Sequence, residues 1–294
     1  MKKTGTLLLN AIFISIILLP VLCQHLLAQT VGSQYRIETL QGNVFTGEVI
    51  SQNEESIVLS TQDLGEITIA RANIRLMREI DPSQFRDGEY WYDNPQPTRY
   101  FFATNARGIN RGHGYYQNTW IFFNNVNVGL TKNFSLGAGI VPMFLFGASA
   151  TPIWILPKLS IPLGQDNFHL AAGGLFGGIL GEDGTGLGFA YGVATIGGSD
   201  HNLSMGLGFG YAGGDWSNTP FINVSGMTRL GRTIYLLSEN YFISAGDENL
   251  ALLSIGIRYA TERLAVDFGL FRPTDIEGSY IGIPWLGITI PFGK

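Results

Sequence analysis

Leu203-Ser-Met-Gly-Leu-Gly-Phe-Gly-Tyr211 places a large apolar residue at every odd position and Ser or Gly at every even one. A β-strand turns successive side chains to opposite faces, so one face here is a greasy stripe and the other is nearly bare. Such a stripe is covered either by a second protein layer or by lipid, with the small residues lining a lumen in the second case. Phe134-Ser-Leu-Gly-Ala-Gly-Ile140, Leu187-Gly-Phe-Ala-Tyr-Gly-Val193 and Leu264-Ala-Val-Asp-Phe-Gly-Leu270 repeat the pattern. The recurrence favours a transmembrane β-barrel. With the large residues outward, Gly137, Gly139, Gly188, Gly206, Gly208 and Gly210 are expected to face the lumen.

Composition supports the same class. The chain has 294 residues, 39 of them Gly, with 12% aromatic and only 14% charged residues. Ordinary usage is about 7% Gly and about 25% charged, so both departures are large. A formal net charge of −5 argues against a nucleic-acid partner, which calls for a basic face.

The first 29 residues read as a secretory signal: Lys2 and Lys3, then the apolar stretch 7–22. Cys23, the single cysteine, falls inside it. Its lipidation is disfavoured by the large Leu22 just ahead, and the mature chain is then free of thiol chemistry. No later apolar run is long enough for a membrane helix, so insertion would require a closed barrel.

Residues 31–80 form a separate unit on this reading. Short segments rich in Val, Ile and Thr at 35–40, 44–51, 56–61, 66–70 and 74–77 alternate with turn residues such as Gly42, Asn53 and Gly65. Residues 81–97, broken by Pro82, Pro95 and Pro97, read as a linker. The barrel is then 98–294, with strands expected at 98–106, 115–130, 134–146, 151–163, 168–180, 186–198, 203–213, 219–230, 233–244, 250–260, 264–272 and 281–292. Ten strands would also be compatible. Tight polar turns near 131–133, 165–167, 199–202, 231–232 and 261–263 alternate with other connections, including a first outer loop at 107–114. Bacterial barrels keep short turns and both termini on the periplasmic side, which puts the small unit there. Phe134, Phe168, Tyr235 and Phe292 fall near the inner strand ends. Tyr115, Tyr116, Trp216, Phe271 and Trp285 fall near the outer ends, as in an aromatic girdle.

Gln41-Gly-Asn-Val-Phe-Thr-Gly-Glu-Val-Ile50 resembles the second strand of SH3-like and Sm-like modules. Because Glu38, Glu48, Glu54, Glu55, Asp63 and Glu66 make this copy acidic, the resemblance implies a periplasmic protein contact rather than RNA binding. The segment from Tyr115-Tyr-Gln-Asn-Thr-Trp to Phe134-Ser-Leu-Gly-Ala-Gly resembles uncharacterised bacterial outer-membrane β-barrel proteins that carry a small N-terminal exported domain. The last strand, 283–292, resembles the signal read by the outer-membrane assembly machinery, although Gly293 and Lys294 follow its aromatic residue. These resemblances imply an all-β fold: a transmembrane antiparallel barrel of about twelve strands behind an SH3/Sm-like domain. They bring no activity with them.

Opposite the greasy stripes, Lys158, Arg229, Glu239, Arg258 and Asp267 are expected in the lumen. They would act either as an internal salt-bridge network or as the charges that set the selectivity of a pore. No catalytic residue, metal ligand or cofactor is assigned. His113, His169 and His201 stand beside no evident nucleophile, and no pattern of ligands for zinc or calcium appears. The expected function is a non-enzymatic outer-membrane barrel that passes or binds a small solute. The alternative is a lipid-embedded anchor that presents residues 33–80 to a periplasmic partner.

Overall fold

The computed structural model describes residues 32–86, 89–147, 150–164, 167–181, 186–245, 248–274 and 281–293. The signal reading at 1–29, with Cys23, lies outside the described residues. The chain divides into two compact units between Trp91 and Tyr92.

In the first unit, β1 (Gln34–Thr39), β2 (Val44–Gln52), β3 (Ser56–Thr61), β4 (Gly65–Ala70) and β5 (Ile74–Glu79) form one antiparallel sheet in the order β4-β3-β2-β1-β5. Alternation does the work here: Tyr35 and Ile37 of β1 meet Ile57 and Leu59 of β3 and Val49 of β2 in a buried core. Gly47 is required where β2 runs against β3, since a Cβ there would stand 2.1 Å from the Ser60 carbonyl oxygen. β6 (Phe85–Arg86) and β7 (Glu89–Tyr90) then pair, within the stretch read as linker. Residues 92–97 of that stretch belong to the second unit.

The second unit is a closed antiparallel barrel. Its wall runs through β8 (His113–Thr119), β9 (Phe123–Gly129), β10 (Phe134–Ile140), β11 (Thr151–Leu163), β12 (Phe168–Leu180), β13 (Leu187–Gly197) and β14 (His201–Ala212). The two-residue β15 (Asp215–Trp216) only extends β14. The wall continues through β16 (Phe221–Arg229), β17 (Ile234–Ala245), β18 (Glu248–Thr261), β19 (Leu264–Pro273) and β20 (Ile283–Gly293). Pairing of β13 with β14 and of β20 with β8 closes the ring at twelve strands. On β14, Leu203, Met205, Leu207 and Phe209 stand exposed outside while Ser204, Gly206 and Gly208 are buried inside.

The expected count holds, but its first two members do not, and the third, expected at 134–146, ends at Ile140, with Met143–Phe146 forming a 3-10 turn. Residues 98–106 are not in the wall. Tyr100-Phe101-Phe102 is aromatic without alternation: Tyr100 and Phe101 are wholly buried, while Phe102 stands exposed at a cavity in the lumen. The stretch 115–130 is two strands, joined by a tight turn in which Trp120 (φ 50°) and Ile121 (φ 69°) take left-handed backbone angles. Such turns ordinarily signal themselves with Asn or Gly, which are absent here, so the break was invisible. One strand lost and one gained left the total unchanged.

These corrections move other expectations. Residues 107–112 lie at the same end as the tight turns, not in an outer loop: the Gly112 amide donates to the Gly129 carbonyl, where β9 ends. Tyr115 and Tyr116 therefore sit toward the turn end, opposite Pro291 and Ile290. Phe271 and Trp285 are near the loop end as expected, but they face inward and are buried instead of forming a girdle. β13 runs in the opposite phase to the one expected. Phe189 pairs with Gly210, Tyr191 with Gly208 and Val193 with Gly206, so these large residues face the lumen and Gly188 faces outward.

Candidate functional site: a plugged lumen

An eight-stranded barrel is just filled by its own side chains, and the interior widens with every added strand. Twelve strands therefore leave a space that side chains alone do not close. Residues 92–112 occupy part of it. The segment enters at the turn end, where Arg229 donates to the Tyr92 carbonyl (2.9 Å) and the Asn94 amide donates to the Ser199 carbonyl (2.7 Å). It climbs to a tight reversal, closed by the Tyr100 amide donating to the Ala103 carbonyl (2.9 Å) and the Asn105 amide to the Thr98 carbonyl (3.0 Å). It then descends, and Arg107 reaches His169 Nε2 (3.0 Å) and the Gly197 carbonyl (3.2 Å) back at the turn end.

All five expected lumen charges face inward, and each one holds this plug. Glu239 Oε2 accepts the backbone amides of Phe101, Phe102 and Ala103 at 2.8, 2.9 and 2.9 Å. Its Oε1 accepts the Tyr241 hydroxyl at 2.7 Å. Three successive amides aimed at one carboxylate form a nest for negative charge, which is how a fully buried Glu is tolerated. Asp267 stands between two arginines. Arg258 donates to it through Nε (2.6 Å) and Nη2 (3.0 Å), and Arg99 through Nη1 (2.9 Å). Arg258 also donates to the Tyr100 carbonyl (2.5 Å), and Arg99 to Thr289 of β20. Lys158 Nζ donates to Thr104 Oγ1 (2.5 Å) and to the carbonyls of Arg107 (2.8 Å) and Asn105 (3.2 Å). Arg229 adds an ion pair to Asp200 at 3.0 Å.

Arg99 was not among the expected residues. The strand expected at 98–106 puts it in the wall, yet it is 1% exposed and shares Asp267 with Arg258. An arginine directly ahead of three consecutive aromatic residues, in a stretch without alternation, was the signal available.

Apolar packing reinforces the polar grip. Phe101 meets Phe271 at 5.3 Å between centroids and Trp285 at 5.8 Å, in a cluster with Tyr100, Tyr235, Leu237 and Met227. The Phe101 ring also lies on Gly256 and Gly269, which pair across β18 and β19; a Cβ at either would stand 2.7 Å from it. The wall is bare at that point because the plug takes the room.

Beside the plug the lumen is open. A cavity with about 870 Å³ of space free of protein atoms, its open mouth included, is lined by Phe102, Ala103, Thr104 and Ile109 of the plug and by Lys158 and other inward residues of the wall. No group of three or more metal-ligating side chains gathers among the described residues.

Comparison with known proteins returns structures rather than relatives. No family model and no curated protein matches the chain. A KdgM porin is similar over 61% of this chain and 96% of its own, at 7% identity and a TM-score of 0.41. A KdgM porin in complex with disordered oligogalacturonate gives 62% and 98%, 7% identity and 0.43. The outer membrane protein Omp33 of Acinetobacter baumannii gives 63% and 98%, 8% identity and 0.35. Likeness at these scores lends no weight to any functional reading of this chain.

Proposed function

We propose that the protein is an outer-membrane β-barrel that passes a small solute through a lumen closed at rest by residues 92–112. One observation carries this reading: one side of the open cavity, at Phe102, Ala103 and Thr104, belongs to a segment outside the hydrogen-bonded wall. Residues 98–106 make no backbone-to-backbone hydrogen bond to a wall strand among the described residues and can leave without breaking a strand pair, whereas a lumen filled by wall side chains cannot be emptied. The exposed apolar band, including Leu203, Met205, Leu207, Ile255, Ile257 and Phe268, supports contact with outer-membrane lipid. On this reading the turn end faces the periplasm. The acidic, SH3/Sm-like N-terminal domain is exported with the barrel, and assembly uses the outer-membrane machinery that reads the last strand. The role is non-enzymatic and calls for no cofactor.

A second reading has its own support. The plug is held at once by Glu239, Arg258, Lys158 and Arg229, which suits a barrel that stays shut and serves as an anchor for an N-terminal domain engaging a periplasmic protein. Single-channel conductance separates the two. The intact chain should be silent or open rarely, and the double variant Glu239→Gln, Asp267→Asn should open steadily. A correctly inserted double variant that stays silent would reject passage in favour of the anchor.

A further inference from the structure

The open cavity has two unlike walls. On one side stand Gln117 of β8, Asn125 and Asn127 of β9 and Ser135 of β10; across the ring stand Phe189 and Tyr191 of β13, Phe221 of β16 and Tyr241 of β17. The rings form a continuous series. Phe189 lies 6.1 Å from Tyr191 and 5.7 Å from Phe221 at 89°, and Phe221 lies 6.4 Å from Tyr241. On the amide wall, glycines make the seats: a Cβ at Gly137 would stand 2.2 Å from Asn127 Oδ1, and one at Gly139 would stand 2.3 Å from Asn125 Oδ1.

Several polar groups here are unspent. The Asn127 side chain and the Ser135 hydroxyl make no hydrogen bond among the described residues, although Ser135 is 5% exposed. Asn125 uses only its oxygen, accepting from Trp154 Nε1 at 2.6 Å. Polar groups that converge on the open space of a cavity and have no protein partner mark a place for a ligand. The lining holds no carboxylate. Its single charge, Lys158, already spends its ammonium on three plug oxygens. A charged ligand would lose its hydration without a counter-ion, so the lining selects a neutral one.

We infer that this cavity binds a neutral sugar, its C–H face stacked on the Phe189–Tyr191–Phe221 side and its hydroxyls bonded to Asn125, Asn127 and Ser135. The inference deepens the proposed passage of a small solute and rests on it for its biological sense. Its test, however, reads binding with the plug in place and no current.

Saturation-transfer NMR on the full chain, folded in a sugar-free detergent, would use maltose, glucuronate and adenosine as probes. Maltose ring protons should receive magnetisation and the two other probes should not. Asn127→Leu and Phe221→Leu should each weaken maltose binding about tenfold or more, and the milder Ser135→Ala a few-fold, in line with one lost hydrogen bond. All three variants would first be checked for folding by heat-modifiable mobility; Ser135→Ala remains informative if a larger change fails to fold. No transfer to maltose, equal transfer in every folded variant, or equal binding of glucuronate or adenosine would overturn the assignment. A barrel that binds maltose but never conducts would leave the site standing and remove passage instead.

Discussion

The two sides of the lumen follow one backbone rule and reach opposite ends. From β17 to β20 many inward positions are large or charged: Tyr235, Leu237, Arg258, Asp267, Phe271 and Trp285 close on the plug as on a soluble core, with Gly256 and Gly269 leaving room for Phe101. From β8 to β10 they include Gln117, Asn125, Asn127, Ser135 and glycines beside Tyr115, and across from them Phe189, Tyr191 and Phe221 line the open cavity, Tyr191 also packing against Ala106 and Val193. The pleat sets only which residues point inward. Whether a sector fills or stays open depends on inward side-chain size and on whether a separate piece of chain finds partners there.

That contrast predicts unequal costs. Asp267→Ala should be the most damaging change, because it leaves Arg99 and Arg258 buried without their anion, at about 3–5 kcal/mol. It should appear as a lower urea midpoint of the folded barrel. Phe101→Ala should cost about 3–5 kcal/mol in the same assay, while Phe221→Ala on the open side, half-buried, should cost about 1 kcal/mol. Equal losses would erase the distinction between the sectors. Gly269→Val forces the Phe101 ring to move and should cost about 1–3 kcal/mol. Gly206→Ala, whose new Cβ meets nothing closer than 3.4 Å, should shift the midpoint little. Smallest of all, Ser135→Ala should stay within about 0.5 kcal/mol, its consequence confined to ligand binding.

Much of this was legible in the sequence, with definite gaps. The alternation in 203–211 and 264–270 marks strands whose inward faces are now seen, Asp267 among them, and the expected strand 250–260 brings Arg258, paired directly with Asp267 across β18 and β19. Period two gives alternation without its sign, however. In 187–193 the large residues face inward, because the pairing of Tyr191 with Gly208 and of Val193 with Gly206 fixes the phase. That register lies outside the strand's own residues. The turn at Trp120 and Ile121 lacked the usual residues, and the plug looked like one more apolar segment. Its burial depends on partners more than 100 residues away, such as Glu239 and Asp267. A strand count shows that a barrel this wide leaves a space, but not which piece of chain enters it.

The central claim is that residues 98–106 are packed inside the barrel by wall charges. Amide hydrogen exchange of the intact chain in lipid tests it most directly. The amides of Phe101, Phe102 and Ala103, held by Glu239, should exchange as slowly as those of β18 and β19, and Glu239→Gln should speed them selectively. Exchange of these three amides at the rate of an open loop in the unmodified chain would contradict the account.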